Sequence, residues 1–94
     1  MDSWIVADEI EKPKQLSIDI DVSLVMTAIA QEVMRARAKF KPFNSAHEGY
    51  AVILEELDEL WEEVRRKHVD RGDMRTEALQ VAAMAVRFLT DVAI

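Results

Sequence analysis

The stretch "HEGYAVILEELDELWEEVRRK", His47 to Lys67, decides how this chain folds. Ile53, Leu57, Leu60, Trp61 and Val64 recur at helical spacing and mark one apolar stripe, so the segment is predicted to be an amphipathic helix. Within it, Glu55 to Val64 holds six carboxylates and no base, although like charges at i,i+3 and i,i+4 repel on a helix. Two groups separate at 100° per residue. Glu55, Asp58 and Glu62 fall opposite the stripe, a solvated face with Arg65 and Arg66 near enough for weak pairing. Glu56, Glu59 and Glu63 lie on one flank of the stripe, where a neighbouring helix would partly dehydrate them.

Working outward, Ser45 stands three residues before Glu48, a capping-box pattern that starts this helix just after the break at Pro42. Upstream, Val22, Val25, Met26, Ile29, Val33, Ala36 and Phe40 repeat at helical spacing and predict a first helix over about Asp21 to Ala38. Downstream, "HVDRGD" reads as a loop. Gly72 there is free to adopt a positive φ, and Asp73 is placed to cap a third helix over about Met74 to Val92. Residues 1–20 read as an N-terminal arm and 21–94 as a single all-α domain. The expected architecture is an antiparallel bundle of about three main helices, its core completed by oligomerisation, since a lone chain this short buries only roughly 60–68% of the surface its unfolded form exposes.

Charge and composition narrow the function. The net charge of −6 argues against nucleic acid or an anionic membrane as partner, and an acidic protein handling phosphates needs a metal to mediate. No cysteine is present, so disulfides and thiolate metal sites are excluded. The start, "MDSWIVADEIEKPK", lacks a basic region followed by an apolar one, and the longest apolar run, Val81 to Val86, falls far below the ~20 residues of a membrane span. A cytoplasmic location is expected. No Gly-rich phosphate loop, nucleophilic triad or zinc spacing can be assembled, and neither His47 nor His68 completes the Glu-x-x-His pair of di-iron bundles.

The flanking carboxylates have a counterpart on the third helix. Glu77, Gln80, Val81, Met84 and Arg87 share one side there, so Glu77 and Gln80 can look across at Glu56 and Glu59, each pair spaced i,i+3. Partly buried carboxylates that face one another either raise their pKa values or hold a cation. A hard divalent ion such as magnesium takes oxygen ligands and leaves positions for substrate phosphates.

These two segments, "HEGYAVILEELDELWEEVRRK" and "RTEALQVAAMAVRFL", together resemble the MazG-like all-α nucleoside triphosphate pyrophosphohydrolases over roughly Asn44 to Leu89. The signature of that superfamily is Glu-Glu-x-x-Glu on one helix and Glu-x-x-Asp on the next. The first half stands here as Glu55, Glu56 and Glu59; the second as Glu77-Ala78-Leu79-Gln80, with Gln80 where the pattern has Asp. The resemblance implies magnesium-dependent hydrolysis, with manganese able to replace magnesium, of a nucleoside triphosphate to its monophosphate and pyrophosphate by a homodimer or homotetramer. By position, Glu56, Glu59 and Glu77 would be metal ligands with Gln80 at the fourth place, and Glu55 would stand behind them or orient the attacking water. The neutral Gln80 implies weak metal binding, tightened about tenfold in Gln80→Asp. The competing expectation is a non-catalytic helical oligomerisation or interaction module of the same fold.

Asn44 and His47, just ahead of the second helix, are candidate contacts to a base or phosphate, and Arg87 is one because it shares the Gln80 face. Lys39, Lys41, Arg71 and Arg75 are further cations that the sequence does not rank. Trp4, Phe40 and Phe43 could stack on a base. Trp61, Phe88 and, by its helical register, Phe40 read as core.

Overall fold

The computed structural model describes residues 12–94, with side chains from Asp21 onward. Among these residues the protein is all-helical: α1 spans Lys12–Lys39, α2 Ala46–Val64 and α3 Arg71–Asp91. Helix α1 begins nine residues before the expected Asp21, so Lys12 to Ile20, expected to belong to the N-terminal arm, are helical. Pro13 is tolerated because it falls in the first turn, where a backbone N–H has no helical partner to lose. At the other end Phe40 N still reaches Ala36 O at 2.8 Å, and Lys41, steered out of helical geometry by Pro42, ends the helix.

Helix α2 starts as the sequence predicts. Ser45, extended at φ −156°, takes the Glu48 N–H on its hydroxyl at 3.1 Å. The Glu48 carboxylate accepts from the Asn44 N–H at 2.6 Å, one residue earlier than a capping box requires. The helix stops at Val64, short of the expected Lys67. Helix α3 corrects the expected cap: Asp70, not Asp73, is the N-cap, and its carboxylate accepts from the Asp73 N–H at 3.0 Å. Gly72 therefore lies inside the first turn, and no described glycine has a positive φ.

Helix α3 is central. It packs against both α1 and α2, which do not pack against each other. Its contact surface is built on Ala83, fully buried, and Met84, with Val33 and Ala36 of α1 and Phe43 of the α1–α2 connection closing the core. Small side chains at Ala36 and Ala83 let the helices approach closely, and Ile29, Val52, Ile53 and Phe88 pack around them.

Two corrections follow from this arrangement. Phe40 and Trp61, expected in the core, are 58% and 59% exposed. Helix α3 meets α2 along Gly49, Ile53, Glu56 and Glu63, so the opposite half of the apolar stripe turns outward. Tyr50, Leu54, Leu57, Trp61 and Val64 form that outer seam at alternating spacings of four and three residues, and every one is exposed. On α1, Val22, Val25 and Met26 are exposed as well. Phe43, expected to be available for stacking on a base, is core instead, while Phe88 is half-buried against the core as expected. Trp4 lies outside the described residues.

Candidate metal centre

The rotation of α2 that exposes Trp61 is what carries its acidic flank toward α3. Glu56 and Glu59, one turn apart on α2, and Glu77 in the second turn of α3 each offer a carboxylate oxygen, and these three atoms lie within 4.8 Å of one another. Glu56 and Glu77 are half-buried and Glu59 is exposed. Glu55, Asp58 and Glu62 are exposed, and Glu62 pairs with Arg65 at 3.0 Å, as a solvated face would. Glu63 continues the flank. Its side chain is 14% exposed and pairs with Arg66 through one oxygen at 3.2 Å, leaving the other oxygen buried without a hydrogen-bond partner.

The crowding shows in the acidities. Glu56 is held above its ordinary value of 4.5, first by burial and then by the charges of Glu59, Glu77, Glu55 and Glu32. Glu77 is raised by burial, by the charge of Glu59 and a side-chain hydrogen bond with it, and by Glu63 and Asp73. Mutual repulsion of this kind is relieved either by protonation or by a cation among the oxygens. All three groups offer hard carboxylate oxygens, the donor type that a hard divalent cation takes.

Gln80 sits beside this cluster and brings in a residue that motif reading missed. Its amide nitrogen donates to Glu32 of α1 at 2.5 Å, and Glu32 also pairs with Arg35. Glu32 is one of the charges that raise Glu56. A carboxylate of α1 thus acts on Glu56 alongside those of α2 and α3. The available signal was its position on the flank of the α1 stripe, between Ile29 and Ala36, where a residue meets a packed neighbour.

A cavity of about 580 Å³ opens against Glu56 and Gln80, within the range of small-molecule sites. Glu55 and Asn44 line it; His47 is exposed and does not. Arg87 lines it too; its guanidinium is held in place, although Nε is buried without a hydrogen-bond partner. One nitrogen donates to Lys41 O at 2.8 Å, the group stacks on Phe43 at 4.3 Å, and Nε lies 3.9 Å from Asp91. Of the unranked cations, Lys39 and Lys41 border the cavity and Arg71 and Arg75 do not. No family model, no curated protein and no solved structure matches the chain.

Proposed function

We propose that the protein is a magnesium-dependent hydrolase converting a nucleoside triphosphate to its monophosphate and pyrophosphate. The observation that carries this reading is the set of three carboxylates from two helices, oxygens within 4.8 Å, with Glu56 bordering a cavity of nucleotide size. The resemblance of the two acidic segments to MazG-like enzymes supports the same chemistry. Glu56, Glu59 and Glu77 would hold the ion, whose chemistry there is to neutralise phosphate charge and to acidify a water. Glu55, on the cavity wall beside Glu56, accepts the proton of the attacking water. The water oxygen bonds to the α-phosphorus, the bond to the bridging oxygen breaks, and pyrophosphate leaves with the electron pair. Pyrophosphate release over a panel of nucleoside triphosphates, with and without magnesium, tests the reading; no metal-dependent release from any of them would overturn it.

The upward acidities set a pH signature. A carboxyl raised in the folded state binds its proton more tightly there than in the unfolded chain, so protonation stabilises the fold. Without metal, stability should climb as pH falls from neutral toward 4.5, and should be lost as pH rises through the elevated values of Glu56 and Glu77. Magnesium should reverse the trend, because protons compete for its ligands. Melting temperature against pH, with and without 10 mM magnesium, reads both slopes; parallel curves would remove the metal from this cluster.

The protein acts as a homodimer or homotetramer in this reading. Support comes from the seam of Tyr50, Leu54, Leu57, Trp61 and Val64, whose alternating four- and three-residue spacing matches a helix–helix packing seam left uncovered. Light scattering at micromolar concentration should show a multiple of the chain mass, and Leu57→Glu with Trp61→Glu should reduce it to the single chain. The same seam favours the second reading, an interaction module without catalysis, which would keep the assembly while magnesium and nucleotides have no effect.

A further inference from the structure

The cations of this acidic chain are unevenly spread. Arg35, Arg37, Lys39 and Lys41 alternate over seven residues, at the end of α1 and into its connection to α2. The two arginines are spent: Arg35 pairs with Glu32, and Arg37 donates to Thr90 at 2.6 Å and lies 3.8 Å from Asp91. Lys39 and Lys41 pair with no carboxylate among the described residues, and both border the cavity that Glu55 and Glu56 line from α2. Their backbone is not a loose loop. Arg87, 3% exposed, grips the Lys41 carbonyl, and Asp91 accepts from the Phe43 N–H at 3.1 Å, so two buried or half-buried groups of α3 fix the connection. The Lys39 ammonium stands 5.7 Å from the centroid of the exposed Phe40 ring, on the same rim.

One cavity thus has an acidic wall and a basic wall. Only a ligand with a cation at one end and an anion at the other satisfies both, and a metal-bound polyphosphate has that polarity. We propose that Lys39 and Lys41 are the seat of the terminal phosphates, receiving the pyrophosphate as it leaves, with Phe40 beside them as an aromatic surface. This rests on the hydrolase reading and adds to it the residues that stabilise the leaving group, since the charge that develops on pyrophosphate needs fixed cations.

The test is calorimetric titration of inorganic pyrophosphate, with magnesium present, into the wild type, Lys39→Gln/Lys41→Gln and Lys67→Gln. Each lost charge-assisted contact should weaken binding roughly tenfold, so the double variant should bind on the order of a hundredfold more weakly. Lys67, beyond the end of α2, serves as the control and should change nothing. Equal affinity in the double variant, or an equal loss in Lys67→Gln, overturns the assignment. So would loss of the melting shift caused by magnesium alone, because the lysines would then act through the carboxylates. Turnover of nucleoside triphosphates is measured separately. A wild type that binds pyrophosphate through these lysines but hydrolyses nothing defeats the hydrolase and leaves the phosphate seat standing; turnover unaffected by the double substitution defeats the seat and leaves the hydrolase.

Discussion

Glu59→Gln is expected to abolish the magnesium-dependent rise in melting temperature and to cut pyrophosphate release by on the order of a hundredfold or more, the upper end of what even residues behind a metal's ligands contribute. Glu59 is the common neighbour: its charge raises both Glu56 and Glu77, so the cluster loses its centre when it is neutralised. At ten times its dissociation constant a ligand that binds only the folded state stabilises it by about 1.4 kcal/mol, or roughly 6–11 °C for a chain of this size. Glu56→Gln should behave alike. Glu62→Gln, exposed and paired only with Arg65, should keep both metal response and turnover. Equal losses at Glu59 and Glu62 would show that the two faces of α2 are misassigned. The Glu32–Gln80 hydrogen bond alters what Gln80→Asp should do. The new carboxylate would face Glu32, and a proton taken up between the two would compete with magnesium and offset most of the tenfold tightening expected from the added charge. Combining Gln80→Asp with Glu32→Gln returns the charge to the same total, and that double variant should bind magnesium at least as tightly as the wild type. A full tenfold gain in Gln80→Asp alone would place Glu32 away from the ion.

Gly49→Val should destabilise the fold by about 2 kcal/mol, within the range for overpacking a core, and lower the melting temperature by roughly 8–16 °C. Gly49 is buried in the first turn of α2, under two aromatic rings. A Cβ there would stand 2.6 Å from Phe88, closer than carbon atoms approach, and 3.0 Å from Phe43, a tight contact. Both rings belong to the packed core and cannot both swing away without opening a void. Replacing glycine in a helix ordinarily helps by up to ~1 kcal/mol, and valine recovers only part of that. Thermal unfolding followed by circular dichroism measures the effect, with Gly72→Ala as the comparison. Gly72 has only a side-chain oxygen of Asp70 near its missing Cβ, at 3.1 Å, and should be close to neutral. A Gly49→Val protein as stable as the wild type would mean that α2 does not approach Phe88 and Phe43 as closely as described.

Periodicity and capping chemistry were enough to establish the three helical segments found among the described residues, because both act over a few residues. The Ser45 hydroxyl finds the Glu48 N–H whatever else the chain does, and the stripe of Ile29, Val33 and Ala36 reports a buried face at any position in the molecule. The i,i+3 spacing of Glu56 and Glu59 likewise put two carboxylates on one helical flank before any neighbour was known. Tertiary structure decided the rest. Helix α3 could have met any part of the wide apolar stripe on α2; it meets the side of Gly49, where close approach is possible, and so Trp61 and Leu57 turn outward while Glu56 turns toward Glu77. Choosing between Asp70 and Asp73 as the α3 cap depended on where the preceding loop could deliver the chain, since both residues suit the role. The pairing of Gln80 with Glu32, 48 residues apart, and the Arg87 grip on Lys41, 46 apart, exist only once α1 lies across α3. Short-range signals carry no information about such partners, because the free energy that selects them comes from burying Ala36, Ala83 and Met84 together, a property of the packed core and not of any one segment.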